Sequence, residues 1–362
     1  PARWADSRRS YRFQQIRSHL LQAAQAPEHP RDWRPSLLIF SDDPERRKPL
    51  LQVADWIQGD SGFASLVKVL QVEGPEAQKE KQAAEKELLE DIRELEADIF
   101  PLVLTGDNVR LSMQTLIQTY GIGPLRANTM MTNWLDMSQD SPSTHRSKRF
   151  GIYLQAAFRQ GCNILLFSAE KNQWEKLLET PPEKRRMDVW WRGDATSRIM
   201  ILFAHMIRQN PGWTKAKIRV LDVSEDALAT GKTVADVNET LAEIRIEAEA
   251  EIVARADAEA VAAYSQNAAL VFLPFQFRQQ QPVDLFGNPL SDLLARLPVT
   301  AAGLAAKDID LSAEPEAGTA GDIAAVLDRL AEILKKGKAA EQQAREASRA
   351  AEEKMEAWQK AI

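Results

Sequence analysis

The chain has 362 residues, which at roughly 150 residues per domain corresponds to about two domains. Hydrophobic residues make up 44% and charged residues 27%, and the mean hydropathy is −0.36, which excludes a disordered, collagenous or membrane-embedded chain. The formal net charge is −6 and the pI is about 5.5. We expect no nucleic-acid partner, because proteins that bind nucleic acids usually carry a basic surplus.

The chain has one cysteine, Cys162, so it can form neither an intrachain disulfide nor a cysteine-based zinc cluster. This composition fits a reducing, cytoplasmic location. The first residue is a proline and the first twenty residues lack the apolar core of a signal peptide, so we expect a fragment of a longer protein. No window approaches the ~18 consecutive apolar residues of a membrane span. We therefore expect any membrane-embedded part to lie outside these residues.

Residues 1–35 form an arm whose charge differs from that of the whole chain. Helical spacing predicts a helix from Trp4 to Ala26, and Pro27, Pro30 and Pro35 prevent its continuation. The arm holds seven arginines and three acidic residues, a net charge of +4. Its predicted helix contains Arg8, Arg9, Arg12 and Arg17. If a membrane span precedes the chain, this arm suits the anionic inner leaflet, and the alternative is a solvated arginine-rich helix face.

From residue 36 onward, short apolar runs alternate with longer amphipathic segments, a pattern typical of an α/β fold with mostly parallel sheets. The first unit has predicted strands at 36–41, 65–72, 100–105, 128–134 and 163–168, and predicted helices at 44–58, 75–98, 109–120 and 145–161. The second has predicted strands at 187–191, 216–222, 250–254 and 269–274, and predicted helices at 195–209, 233–246 and 257–266. We therefore predict two similar α/β subdomains, at 36–168 and 187–311, joined by a polar, helical connector at 169–186.

Two segments follow the alternating pattern. Residues 275–322 lose periodicity and are expected to be partly loop, with a helix at 290–296. Residues 312–362 are expected to form a helical tail, because an apolar stripe at its start fades after Gly337. The part of the tail from Lys338 onward is interpreted as solvated, and the alternative is a coiled coil or a helix that binds a partner.

A partial phosphate-loop motif occurs at Gly231-Lys232-Thr233. The position five residues before Gly231 is Asp226, where that motif requires glycine, and a carboxylate there would repel phosphate. Thr233 is therefore interpreted as the N-cap of a following helix.

Asp42 and Asp43 follow the first strand, where open α/β sheets usually place ligands. Capping of the helix that begins at Pro44 is the favoured interpretation, and nucleotide binding near Asp42, Asp43 or Gly193 stays open. The four histidines are scattered and none has a second ligand at metal-binding spacing, so we expect no metal site and no cofactor.

Trp190 and Trp191 end an apolar strand. Because side chains alternate across a strand, we expect one indole on each face of the sheet, packed under helices. Neither a catalytic triad, nor a paired-carboxylate motif, nor a complete phosphate loop occurs in the sequence, so we expect that the chain is not an enzyme.

Three runs give the sequence a specific resemblance. They are Asp32-Trp33-Arg34-Pro35 leading into an apolar strand, Tyr120 to Thr129 with Gly121, Gly123 and Asn128, and Asp188-Val189-Trp190-Trp191. Together they resemble the cytosolic C-terminal domain of cation–chloride cotransporters, the family of Na-K-Cl and K-Cl symporters. Family members commonly have an Asp-Asp-Gly-Gly type turn after the tryptophan pair, whereas this chain has Arg192-Gly193-Asp194-Ala195. The resemblance is therefore to a divergent, prokaryotic relative.

The resemblance implies a membrane domain of twelve spans upstream, which would hold the sites for chloride and cations such as potassium. It also implies two halves related to universal stress proteins, and a homodimer on the cytoplasmic side of the cell membrane. We expect a regulatory and dimerisation domain that couples to transport through its basic helix and the stiff Pro27–Pro35 linker. The alternative is a free-standing adenine-nucleotide-binding protein of the universal-stress class.

Overall fold

The computed structural model describes residues 7–26, 32–41, 43–72, 74, 76–134, 144–223, 234–243, 246–253, 257–309 and 337. The chain divides into two compact units, Pro1–Ser312 and Ala313–Ile362, and every helix and strand named below lies in the first. The helical tail predicted at 312–362 lies outside the described residues, apart from Gly337.

The first half begins with α1 (Ser7–Gln25) and then alternates strands and helices. Its strands in the main sheet are β1 (Ser36–Phe40), β2 (Phe63–Leu70), β3 (Phe100–Thr105), β6 (Thr129–Asn133) and β7 (Asn163–Ser168). Its other helices are α2 (Pro44–Gln58), α3 (Ala77–Glu94), α4 (Val109–Thr119) and α5 (Thr144–Arg159). A small hairpin between α4 and β6 is formed by β4 (Gly121–Ile122) and β5 (Leu125–Arg126).

The second half repeats this alternation after a connector made of α6 (Lys171–Glu179) and a 3-10 turn (Pro182–Lys184). Its strands in the main sheet are β8 (Arg186–Trp191), β9 (Lys217–Asp222), β10 (Glu249–Ile252), β11 (Leu270–Pro274) and β14 (Thr300–Leu304). Its helices are α7 (Ala195–Arg208), α8 (Val234–Glu243), α9 (Ala258–Ser265) and α10 (Leu290–Leu294). A second hairpin is formed by β12 (Gln276–Arg278) and β13 (Gln281–Val283).

All ten main strands belong to one sheet, in the order β10-β9-β8-β11-β14-β7-β6-β1-β2-β3. If the five main-sheet strands of each half are numbered 1 to 5 in chain order, both halves have the strand order 3-2-1-4-5 from the outer edge inward. Every neighbouring pair is parallel except β14 and β7, the two fifth strands, which pair antiparallel. The two halves are therefore arranged like a pseudo-symmetric dimer within one chain. Each shields the fifth-strand edge of the other, and β3 and β10 are the outer strands of the sheet.

The strands are apolar on both faces because helices cover both faces of the sheet. All five residues of β1 are buried, and alternation assigns Leu37 and Ile39 to one core and Leu38 to the other. The first core contains buried residues of α2, α3, α7 and α8, and the second contains those of α4, α5, α9 and α10. Trp190 belongs to the second core and Trp191 to the first, so the prediction of one indole on each face is confirmed.

The predicted α/β class with a mostly parallel sheet is confirmed, and the two expected sheets are joined into one. The sequence predicts no strand within residues 275–322, whereas Thr300–Leu304 form β14 between β11 and β7. The sequence there is Thr-Ala-Ala-Gly-Leu, whose small residues have little intrinsic strand preference. The Cβ of any residue replacing Gly303 would lie 3.0 Å from the Met200 side chain, so α7 packs closely against this strand.

Aromatic side chains join the connector to both halves. Trp56 of α2 stacks on Trp174 of α6 at 5.7 Å between centroids and contacts Trp213 edge-on at 5.2 Å. Asn210 Nδ2 donates to the Trp56 carbonyl oxygen over 2.8 Å. The guanidinium of Arg185 lies over the Trp213 ring and donates to three backbone carbonyls. Elements of both halves thus share one packed aromatic cluster.

The β12–β13 hairpin of the second half packs against α5 of the first. Phe277 contacts Phe158 at 6.3 Å between ring centroids. Gly151 approaches the hairpin turn so closely that an added Cβ would lie 1.8 Å from the Gln280 carbonyl oxygen. The glycine is therefore required by this close approach between the halves.

Candidate functional surfaces

The carboxyl end of β1 is one of the two positions where an α/β sheet of this order usually binds ligands. Asp43 there is the N-cap of α2 and accepts from the backbone N–H of Glu45 over 3.0 Å, so the predicted helix cap is confirmed. Asn133, at the end of the neighbouring β6, donates to Ser41 Oγ over 3.3 Å and to the Arg46 carbonyl. Asp42 lies outside the described residues. A carboxylate therefore occupies the N-terminus of α2, where an anion would otherwise be favoured.

The carboxyl end of β8 is the equivalent position in the second half. Gly193 has a φ of +76°, which a side chain would strain, and its carbonyl accepts from Arg198 over 3.0 Å. Asp194 caps α7 by accepting from the backbone N–H and the hydroxyl of Ser197, each over 2.8 Å. Arg198 forms a two-pronged ion pair with Asp308, at 2.7 and 2.6 Å. Asp194, Arg198 and Asp308 thus already have protein partners at this end of the sheet.

Among the described residues, no group of three or more His, Cys, Asp or Glu side chains is placed to hold a metal ion. Cys162 is buried, and burial raises the pKa of its thiol to about 11. The incomplete phosphate motif at 231–233 lies outside the described residues.

The amino end of the sheet gathers most residues that carry the sequence resemblance. Trp33 packs against Phe203 at 6.2 Å between ring centroids. Asn128 accepts from the Ser36 backbone N–H over 3.0 Å and donates to the Arg34 carbonyl over 2.6 Å, so it fixes the segment that leads into β1. Thr129 is buried and its hydroxyl donates to the Asn128 side chain over 3.0 Å.

The glycines at 121 and 123 shape the hairpin just before Asn128. Gly121 has a φ of +106°, and a Cβ there would lie 1.6 Å from the Leu125 carbonyl oxygen. Gly123 has a φ of +62° in the turn itself. Both positions therefore need glycine for backbone reasons.

Helix α1, which lies within the basic arm, is highly exposed. Every described side chain of α1 is exposed except Leu20, which is half-buried, and Tyr11, Phe13 and Ile16 are 61%, 59% and 54% exposed. The helix has four arginines and no acidic residue. Of the predicted coupling residues, Arg9, Arg12 and Arg17 lie on it, and Arg9 lies over the Phe13 ring at 5.8 Å. The side chain of Arg8, and all of Trp4, Pro27 and Pro30, lie outside the described residues.

Pro35, the last of the predicted coupling residues, shows where this arm joins the sheet. Its carbonyl accepts from the Phe63 backbone N–H over 2.9 Å, and its ring lies against Gly62, where a Cβ would be 2.8 Å away. The arm is therefore attached at the amino end of β1 and β2.

Asp188, another residue of the resemblance, is fully buried within β8. Its carboxylate accepts from Arg186 Nε over 2.9 Å and from Arg219 Nη2 over 2.8 Å. Arg219 also pairs with Glu251 and lies over the Tyr264 ring, and the Asp188 carboxylate raises its pKa against the opposing effect of burial. This network is a structural ion cluster, since every Asp188 oxygen already has a cationic partner.

Sequence reasoning missed a second ion cluster, centred on Arg47. This side chain is fully buried and its Nη1 contacts Asp91 and, over 3.1 Å, Glu87. Lys68 also pairs with Glu87 at 2.7 Å, and this hydrogen bond lowers the Glu87 pKa. A signal was present, because Arg47 precedes Leu50 and Leu51 by three and four residues and so falls on the buried stripe of α2.

One shallow cavity of about 470 Å³ lies at the amino ends of β9 and β10. Four of its five charged lining residues form pairs: Lys217 contacts Glu249 at 2.7 Å, and Arg208 donates to the Glu247 carbonyl over 2.6 Å. These pairs leave the cavity without a concentrated charge of either sign.

No protein-family model matches the chain. Among solved structures, the chain is similar to the cytoplasmic domain of a prokaryotic cation chloride cotransporter, with a TM-score of 0.53 and 14% identity over 77% of this chain and 99% of that one. The expected resemblance is confirmed at the level of the fold. A universal stress protein from Archaeoglobus fulgidus DSM 4304 also matches, with a TM-score of 0.45 and 13% identity over 74% of this chain and 97% of that chain.

No helix among the described residues is both long enough and apolar enough to cross a membrane.

Proposed function

We propose that this chain is the cytosolic domain of a cation–chloride cotransporter, attached to a membrane domain that precedes it. The proposal rests on the shared fold together with one observation, the exposed basic helix α1 attached at the amino end of the sheet. An arginine-rich helix without acidic residues suits a position beside the anionic inner leaflet, where each basic residue contributes about 1 kcal/mol of attraction. In this proposal the domain is regulatory, forms a homodimer and performs no catalysis.

Coupling to transport would pass through α1 and the linker that ends at Pro35. The body that receives this linker is stiff at that point, because Asn128 holds both sides of Pro35 through the Arg34 carbonyl and the Ser36 N–H. A displacement of the helix would therefore be transmitted to the sheet, because the attachment at Pro35 is rigid. Proline-rich linkers transmit orientation better than Gly/Ser tethers.

Glycine substitution of Pro27 and Pro30 tests this coupling in the full-length transporter. We expect altered ion flux at equal surface expression, because glycine would loosen the linker. Unchanged flux in the double variant would contradict mechanical coupling. Pro211→Gly, in a loop of the second half remote from the linker in sequence, is the matched control and should leave flux unchanged.

The rival function is nucleotide binding of the universal-stress type at the carboxyl ends of β1 and β8. The capping carboxylates of Asp43 and Asp194 at the N-termini of α2 and α7 argue against a phosphate there. Calorimetric titration of the purified chain with ATP tests the rival function directly. Saturable binding that is lost in a Gly193→Val variant would favour it over the transporter proposal.

A further inference from the structure

The edge strand β3 presents a partly uncovered apolar surface. Phe100, Leu102 and Leu104 alternate onto one face of the sheet and form what we name the β3 strip. Phe100 is 61% exposed, and the two leucines are half-buried. On the same face of the sheet, α4 covers the neighbouring strand β2, where Val67 is buried with Met113 and Leu116. The β3 strip therefore continues the apolar face beyond the helix that covers it.

The second half shows that the fold does not require this surface. Its equivalent edge strand, β10, has Glu249 and Glu251 where β3 has apolar residues. Glu249 pairs with Lys217 at 2.7 Å and Glu251 with Arg219 at 3.2 Å, so that edge is charged and solvated. A charged edge is the usual protection of an outer strand, and an apolar one indicates a surface that another element covers.

Helix α1 has the complementary shape. Phe13, Ile16 and Leu20 are spaced by three and four residues and so lie along one side of the helix. They extend over about 10 Å at 1.5 Å per residue, and the β3 strip extends over about 13 Å at 3.3 Å per residue. The lengths match closely enough for one helix to lie along one strand.

The charges of the two surfaces are also complementary. Helix α1 has four arginines and no acidic residue, so two copies of α1 would repel each other. Exposed carboxylates flank the Phe100 end of the β3 strip, at Asp60, Glu96 and Asp98. Asp98 and Asp60 are close enough to Asp55 that their charges add to the effect of burial in raising its pKa. The acidic flank disfavours an anionic membrane surface at the strip and favours the basic helix.

We infer that the β3 strip of one chain binds α1 of a second copy of this chain. The helix is exposed along its length within a single chain, so its own strip does not cover it in this structure. Reciprocal exchange buries both strips and both helices around one two-fold axis, as expected for a symmetric dimer. This inference rests on the proposed homodimer and names its contact surface.

Sedimentation equilibrium of the 362-residue chain tests the contact. We expect a dimer whose dissociation constant rises at least tenfold in Phe100→Ser and in Ile16→Ser, and also rises with salt concentration. Both side chains are more than half exposed, so neither change should unfold the chain. Leu178→Ser, on the exposed surface of α6 (44% exposed), is the matched control and should leave the dimer unchanged.

Cysteine cross-linking identifies which segment binds to the β3 strip. Chains with Ile16→Cys are mixed with chains with Phe100→Cys under mild oxidation, and we expect a disulfide between the two kinds of chain. Native Cys162 is 2% exposed and should not contribute. Cross-links found only between two Ile16→Cys chains would indicate helix pairing, and binding of α1 to phosphatidylserine vesicles without dimer formation would indicate a lipid occupant. Either result would overturn the inference.

The outcomes also separate this inference from the proposed function. A dimer of undiminished strength in both serine variants would overturn the named surface and leave the homodimer standing. A chain that stays monomeric at all concentrations would overturn the inference together with dimerisation by this domain. Neither result bears on membrane attachment, which fractionation of the native product measures separately.

Discussion

Replacing Asp188 by asparagine should destabilise the fold strongly, because the change leaves two arginines facing an uncharged group. The Asp188 side chain has no exposed surface, and those of Arg186 and Arg219 are 28% and 17% exposed. Removing one partner of a buried ion pair typically costs about 3–5 kcal/mol. Arg219 retains Glu251 and the Tyr264 carbonyl, so we expect the low end of that range, about 3 kcal/mol.

Urea unfolding of the purified chain at pH 7, followed by circular dichroism, measures this loss. The matched control is Asp308→Asn, which also removes a carboxylate from an arginine, but at a site where the aspartate is 60% exposed. Exposed ion pairs contribute at most about 1 kcal/mol, so the control should stay near wild type. A loss below about 1 kcal/mol for Asp188→Asn would refute the assignment of this residue to a buried structural cluster.

Three further predictions test other parts of the structure. The Cys162 thiol, buried and with its pKa raised to about 11, should not react with an aromatic disulfide reagent at pH 8 until urea unfolds the chain; rapid labelling of the folded protein would contradict its burial. Burial, and then the charge of Arg208, lower the His205 pKa, so the unfolded chain binds the proton first and stability should fall as the pH drops below about 6.5. A His205→Gln variant should lack this slope between pH 7 and 5.5, and an identical slope in both proteins would exclude His205 as its source. Gly151→Ala should lower the free energy of unfolding by about 1–3 kcal/mol, since its Cβ would overlap the Gln280 carbonyl; unchanged stability would mean that the hairpin does not pack there.

Much of the fold could be predicted from hydrophobic periodicity and helix-start signals. The helix at 44–58 and the strands at 100–105 and 163–168 have the predicted bounds, because Asp43-Pro44 and compact apolar runs mark their ends. Strand β14 was missed because its stability comes from insertion between β11 and β7, a contact between segments far apart in sequence. The joining of both halves into one sheet follows from that same strand.

The candidate site was less predictable than the fold. The capping role of Asp43 and the opposite faces of Trp190 and Trp191 follow from local rules of sequence, and both are confirmed. The pairing of Asp188 with Arg219 depends on strand order, which periodicity does not give. The β3 strip likewise depends on the strand order, because that order places β3 at the edge of the sheet.

Membrane fractionation of the native gene product, detected with an antibody raised against this chain, tests the central proposal most directly. We predict a product of roughly 80–100 kDa, the size of this domain plus twelve spans of ~20 residues and their loops, that resists salt extraction from membranes. A product near the 40.6 kDa of this chain that stays in the supernatant would contradict the proposal.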